Sequence, residues 1–320
     1  FGFAQNQDSL LRVLNRSEGV ERIEILHELA NSNQRSELED ALGYAQESYQ
    51  LASQYGDDKL SAKSLYLLSQ ISERQGNYSD AIDFAKEALS LAKDPYTMSD
   101  INFQLGLTYE SISELKSSLE YHLTSLNQRE KLMDSERISH SLNSLAFVYR
   151  GMRQFEKAIK ILEEMRVLCR ENEDKMCSAR STFNIGLMVM EMDRHADAIP
   201  IFKEAMNGLS ETDNLNQFAR YYNNLANCFE KLLHVNADYY DSALYYANKS
   251  LKIKYEVGDV RGIANTHNTL AATYERNSDY QNSAYHAKIA WKLADSLGVL
   301  PIKRNALSYL ITAEIKLGAI

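Results

Sequence analysis

The side chains with most to offer chemically are asparagines and arginines in the middle of the chain. They are Asn143, Asn184, Asn223, Asn224 and Asn227, with Arg150, Arg180 and Arg220. Asparagine is a poor helix former, so its recurrence in helix-forming sequence needs a reason. A carboxamide donates and accepts at once, which suits the backbone of an extended peptide. Arginine grips a carboxylate through two parallel hydrogen bonds. Phe103, Phe147 and Phe183 would add apolar contact. The chemistry on offer is recognition. There is no phosphate loop, no HExxH and no GxSxG, CxxC spacing is absent, and the seven histidines are scattered. The chain reads as a non-enzyme, with no metal site and no cofactor. A competing reading of the same residues is structural: asparagines bonding to neighbouring repeats, arginines pairing with Glu110 or Glu230.

The elements that must position these residues repeat. Ser141 to Met165 reads as one helix–turn–helix, with Ala146 and Tyr149 in its first helix and Phe155 and Ala158 in its second. The same grammar returns with Ser69, Gly76, Tyr78, Ala81 and Ala88, and with Ala271, Tyr274, Tyr280, Ser283 and Ala290. The small residues of the first helices are Ser69, Gly106, Ala146, Gly186, Ala226 and Ala271, at separations of 37, 40, 40, 40 and 45. Those of the second helices are Ala81, Ser118, Ala158, Ala198, Ala243 and Ser283. They follow at an offset of 12 in every unit but the sixth, where it is 17. The extra residues fall at LLHVNAD and predict a longer turn. Two antiparallel helices approach closely only where small residues face each other. One such hairpin cannot bury both its faces, so it needs neighbours.

The expected architecture is all-α: about seven helix–turn–helix units and a final unpaired helix. A terminal segment over 1–7 precedes a helical array over 8–320. Its units run about 8–56, 58–93, 96–134, 135–174, 177–212, 215–258 and 259–297, with the lone helix at 301–318. Pro200 is expected to bend or delay its helix.

The net charge of −9, the pI near 5.4 and the lack of a basic run argue against nucleic acid and anionic lipid as partners. No window of eighteen apolar residues exists, so no membrane span is expected within the chain. The opening FGFAQ, ending in Ala4-Gln5, reads as the end of a secretory signal peptide, though Phe1 and Phe3 would also pack as a simple apolar start. Cys169 and Cys177 flank an inter-helix turn that a disulfide would span, which leaves Cys228 over.

Leu145-Ala146, Tyr149, Phe155 and Ala158, and again Leu270-Ala271, Tyr274, Tyr280, Ser283 and Ala290, resemble the tetratricopeptide repeat (TPR). Met165 stands where that family usually has alanine. The period near 40 resembles a long-repeat type, which includes the exported sensor regions of Bacteroidetes-type signalling proteins. The resemblance implies a right-handed α-solenoid whose first helices line a concave groove for a peptide or protein segment. It places Asn143, Phe147, Arg150, Arg180, Phe183, Asn184, Arg220, Asn223, Asn224 and Asn227 along that groove. By analogy the chain is expected to be the periplasmic, extracytoplasmic sensor region of a histidine kinase or DNA-binding regulator, with a membrane helix following it. The alternative is a cytoplasmic adaptor or scaffold of the same fold. The apolar stripe of the last helix would offer a surface for a homodimer.

Overall fold

The computed structural model describes residues 9–34, 37–212 and 214–318, and all regular structure among them is helical. The expected signal-peptide end at 1–7 lies outside the described residues. After a short helical stretch at 9–14 come α1 (Gly19–Asn33), α2 (Leu38–Tyr55), α3 (Asp58–Arg74), α4 (Tyr78–Leu91), α5 (Pro95–Ser111), α6 (Leu115–Lys131), α7 (Ser135–Gly151) and α8 (Phe155–Glu171). Then follow α9 (Lys175–Glu191), α10 (His195–Met206), α11 (Leu215–Lys231), α12 (Tyr239–Val257), α13 (Val260–Arg276), α14 (Tyr280–Ser296) and α15 (Leu300–Leu317). The chain divides into two units, Phe1–Ile161 and Leu162–Ile320, and the division falls within α8.

In the first unit α1 packs on α2, α3 on α4 and α5 on α6, and each second helix packs on the first helix after it. The first helices also touch in series, α1 to α3, α3 to α5 and α5 to α7. The second unit repeats the scheme with α9–α10, α11–α12 and α13–α14, and α11, α13 and α15 form its row of first helices.

A steady beat of aspartates starts the first helices. Asp57, Asp94, Asp134, Asp174 and Asp259 each accept at the side chain from the backbone N–H three residues on. This satisfies one of the amides left open at a helix start. Each stands twelve residues before the small residue of its helix. Asn214 holds the same place in the sixth unit and makes no such cap. In the second to fifth hairpins and the seventh the inner turns are equally regular, three residues long, with Ser113, Arg153, Asp193 and Ser278 at positive φ. The sixth hairpin has the longer turn that its spacing predicts, over 232–238.

Pro200 does not delay its helix, since α10 begins on schedule at His195. It ends early, at Met206, and Gly208 just beyond takes a left-handed φ of 80°.

Where the helices of a hairpin cross, glycine and a ring occur together. A Cβ at Gly106 would lie 2.6 Å from the His122 ring, and one at Gly186 would lie 2.7 Å from the Phe202 ring. In the sixth unit the crossing is filled by Ala226 and Ala247 instead. Gly186→Ala is therefore expected to lower the unfolding free energy by roughly 1–3 kcal/mol through overpacking. This outweighs the preference of about 1 kcal/mol for alanine over glycine inside a helix. Combining it with Phe202→Leu should restore part of that loss. Urea unfolding of both single variants and the double checks this; strictly additive losses would refute it.

Helix α15 packs on α13 and α14 and leaves Leu307, Ile311 and Ile315 exposed on its outer side.

Candidate functional site

The expected site residues fall in both units, and each group is described within its own. In the first unit, Asn143, Phe147 and Arg150 share one face of α7. The Arg150 guanidinium sits 5.5 Å from the centre of the Phe147 ring. Burial holds the carboxyl of Glu110 above its usual range, and the nearby Arg150 opposes that shift.

In the second unit, Arg180 is exposed on α9 while Phe183 and Asn184 are buried beside it. Phe183 lies inside the repeat, with Phe202 at 5.3 Å and Tyr221 at 4.7 Å between ring centres. Arg220 covers it at 5.2 Å. The aromatic contact foreseen for a ligand at Phe183 is thus spent on packing, and a basic group faces outward in its place.

The asparagines of α11 divide by role. Asn223 is buried, and its carbonyl accepts from Thr266 Oγ1 at 2.8 Å and from Lys254 Nζ at 3.3 Å. The Asn227 carbonyl accepts from Thr269 Oγ1 at 2.7 Å, so its NH2 group is what it can offer a ligand. Asn224 donates to the carbonyl of Arg220 at 2.9 Å, which frees its own carbonyl for the same purpose. On α13, Asn268 donates to Ile302 O at 2.9 Å and so ties α13 to α15. The structural reading of the asparagines therefore holds for Asn223 and in part for Asn227. Glu230 pairs with Arg276 and Lys231, not with Arg220.

A cavity of about 410 Å³ opens on this face, lined by Arg220, Asn223, Asn224, Asn227, Lys254, Asp259, Arg261, Gly262, Asn265 and Ile302. Three cations thus meet one carboxylate, and Asp259 is already engaged in capping α13 through Gly262 N at 2.8 Å. Lys254 and Arg261 were not among the residues singled out in the sequence. A second cavity, of about 470 Å³, lies beside the Cys169–Cys177 disulfide. Of its lining cations, Arg170 is paired with Glu204 at 3.3 Å. Cys228 is buried, and burial pushes its thiol up to about 12, which leaves it a poor nucleophile.

Helical hairpins of one design, meeting at small residues and presenting polar rows from their first helices, define an all-α repeat protein. Residues 21–94 match the tetratricopeptide repeat family. The match covers 74 of the 320 residues, so it shows the family for that stretch alone. Among solved structures it is similar to aspartyl phosphate phosphatase F from Bacillus subtilis, at 16% identity over 98% of this chain and 93% of that one, with a TM-score of 0.63. It is also similar to a Rap protein complexed with competence and sporulation factor, at 17% identity over 98% and 92%, with a TM-score of 0.59. A third is a STAND signal-transduction ATPase with a tetratricopeptide repeat sensor from Pyrococcus horikoshii. It matches at 15% identity over 98% of this chain and 50% of that one, with a TM-score of 0.68. At these identities the likeness is one of fold.

Proposed function

We propose that this protein is a non-catalytic binding module that holds an acidic peptide or protein segment against the open face of α11 and α13. The observation that carries this reading is the cavity where asparagine side chains surround three cations and a single, already committed carboxylate. Carboxamides meet a peptide backbone, and the cations meet its acidic groups. The Rap protein of similar fold is described as complexed with a factor, which makes ligand binding on such a fold reasonable by analogy. We further propose that the module works outside the cytoplasm as the sensor region of a bacterial signal-transduction protein. The Cys169–Cys177 disulfide supports that placement, because such bonds persist in oxidising compartments.

Selection from a random-peptide display library tests the binding function. Sequences rich in Asp and Glu should be enriched. A selected peptide should bind Asn224→Ala/Asn227→Ala roughly tenfold more weakly by fluorescence anisotropy, as expected when central interface contacts are removed. Enrichment of neutral or basic sequences, or unchanged affinity, would overturn it. Alkylation of protein taken from its native compartment tests the placement. Modified thiols at both Cys169 and Cys177 would favour the intracellular adaptor.

A further inference from the structure

The seventh hairpin departs from the packing pattern at one pair of places. These lie four residues before the small residue of the first helix and three after that of the second. Leu65 and Phe84, Leu142 and Ile161, and Tyr222 and Tyr246 hold them in three other hairpins, and the two tyrosine rings stack at 5.9 Å. The seventh hairpin has His267 on α13 and His286 on α14, with their Nδ1 atoms 2.8 Å apart. Two imidazoles are not needed to fill this space, so nitrogen facing nitrogen requires a separate reason. The two residues stand 19 apart in the chain, so no metal-ligand spacing marks them in the sequence.

Both rings are neutral at neutral pH, because burial pulls His267 down to about 4 and lowers His286 as well. A neutral imidazole carries one N–H and one lone pair, and the neutral ring is the form that ligates metals. The Tyr255 hydroxyl lies 3.3 Å from His267 Nε2. With Nε2–H donated to that oxygen, His267 turns the lone pair of Nδ1 toward His286, whose own Nδ1–H fills the gap. Tyr274 stacks on the His286 ring at 5.4 Å and 6°, and Tyr285 meets it edge-on at 5.1 Å. A hydrogen-bond partner behind one imidazole and aromatic rings packed on the other form the kind of outer shell that orients metal-bound histidines. His267 is buried and His286 half-buried, so the way in lies past His286.

We propose that His267 and His286 form a two-coordinate site for a closed-shell monovalent metal ion, copper(I) or silver(I), seated between the two Nδ1 atoms. On binding, the His286 proton leaves Nδ1 and one is taken up at Nε2 from solvent. Both rings stay neutral, two nitrogen–metal bonds form and no electron is transferred. A metal–nitrogen bond is about 2 Å long, so two in line span about 4 Å and the rings part by about 1 Å. Among the described residues no third His, Cys, Asp or Glu joins the pair, so the four ligands that a structural zinc ion takes are not at hand.

The test is a titration of the full chain with silver(I) nitrate in chloride-free buffer, with labelled histidine nitrogens observed by NMR. One equivalent should shift the Nδ1 resonances of His267 and His286 together and saturably, and leave those of His27 and His122 in place. Copper(I), kept reduced with ascorbate and measured against a chromophoric chelator, should bind with the same stoichiometry. His286→Gln should abolish that equivalent. Tyr255→Phe changes an exposed residue and should keep the wild-type melting temperature, yet weaken the affinity roughly tenfold or more. Cys228→Ala removes the free thiol and should keep the equivalent. Nδ1 resonances that do not move, binding retained in His286→Gln, binding lost in Cys228→Ala, or full-strength binding by Tyr255→Phe would each overturn the proposal.

Discussion

Replacing Asp100 with alanine is expected to lower the unfolding free energy by about 3–5 kcal/mol, the range for removing one partner of a buried ion pair. The reason lies in Arg129, which is buried where α5, α6 and α7 meet. Its guanidinium donates to Asp100, to Ser141 Oγ and to the carbonyl of Arg137 at 3.1 Å, and it lies 4.3 Å from the centre of the Phe103 ring. Arg137 reaches Asp100 through Nε at 3.2 Å and Asp134 through Nη1 at 2.7 Å. Asp100 thus neutralises two arginines and joins two repeats. Its loss strands a cation that water cannot reach. Arginine cannot escape by giving up its proton, because its pKa is far too high. The companion double variant, Asp100→Ala with Arg129→Met, should be clearly milder than Asp100→Ala alone, since it removes charge and partner together. Urea unfolding at neutral pH measures both. A loss below about 1 kcal/mol for Asp100→Ala, the range of exposed pairs, would show that the network does not bind the repeats together.

The repeat was legible in the sequence because it answers a steric demand that few side chains can meet. Gly106 and Gly186 face rings at a distance that no Cβ tolerates, and Ala226 meets Ala247 where the crossing is filled by methyl groups. Such positions recur on a fixed beat and can be counted. The long sixth turn could be read from the same count. The candidate site was legible only in outline. Arg220, Asn223, Asn224 and Asn227 line a cavity, but Thr266 claims the carbonyl of Asn223, and Phe183 is turned into the packing. The register tells which face of a first helix a residue occupies, not whether a threonine of the next helix will claim it. Arg129 and Lys254 were invisible for another reason. Both sit in second helices, where a basic residue ordinarily extends into water. Only their partners, Asp100 in one repeat and Thr266 in the other, hold them inside. The early end of α10 at Met206, just before Gly208 takes a left-handed φ, was not read from the sequence either.

Between pH 6.5 and 4 the fold is expected to lose most of its stability, and buried histidines set that window. Burial holds His27, His122 and His267 at about 4, with Lys63, Arg129 and His286 respectively pushing the same way. Burial lowers His286 as well. In the unfolded chain each imidazole takes up a proton near 6.5. Above that value both states are neutral and the native stability is complete. As pH falls below it, the unfolded chain gains protons that the native one refuses, so stability drops until the folded groups titrate near 4. At about 1.4 kcal/mol per pKa unit, each such histidine withholds roughly 3 kcal/mol at the acid end. Three or more of them are comparable with the 5–15 kcal/mol that stabilises most domains. His267 and His286 add a geometric reason, for their Nδ1 atoms lie 2.8 Å apart and only one can carry the shared proton. The lowered carboxyls of Asp94 and Asp134 also contribute to acid loss, but only below their ordinary range near 3.8. His122 gives the cleanest test. Neither of its buried ring nitrogens has a hydrogen-bond partner, so His122→Leu removes the titration without removing a bond. The variant should match or exceed wild-type stability at pH 7.5 and lead it by roughly 2 kcal/mol more at pH 5 than at pH 7.5. Parallel stability curves from pH 7.5 to 4.5 would mean that His122 takes no part in the acid transition.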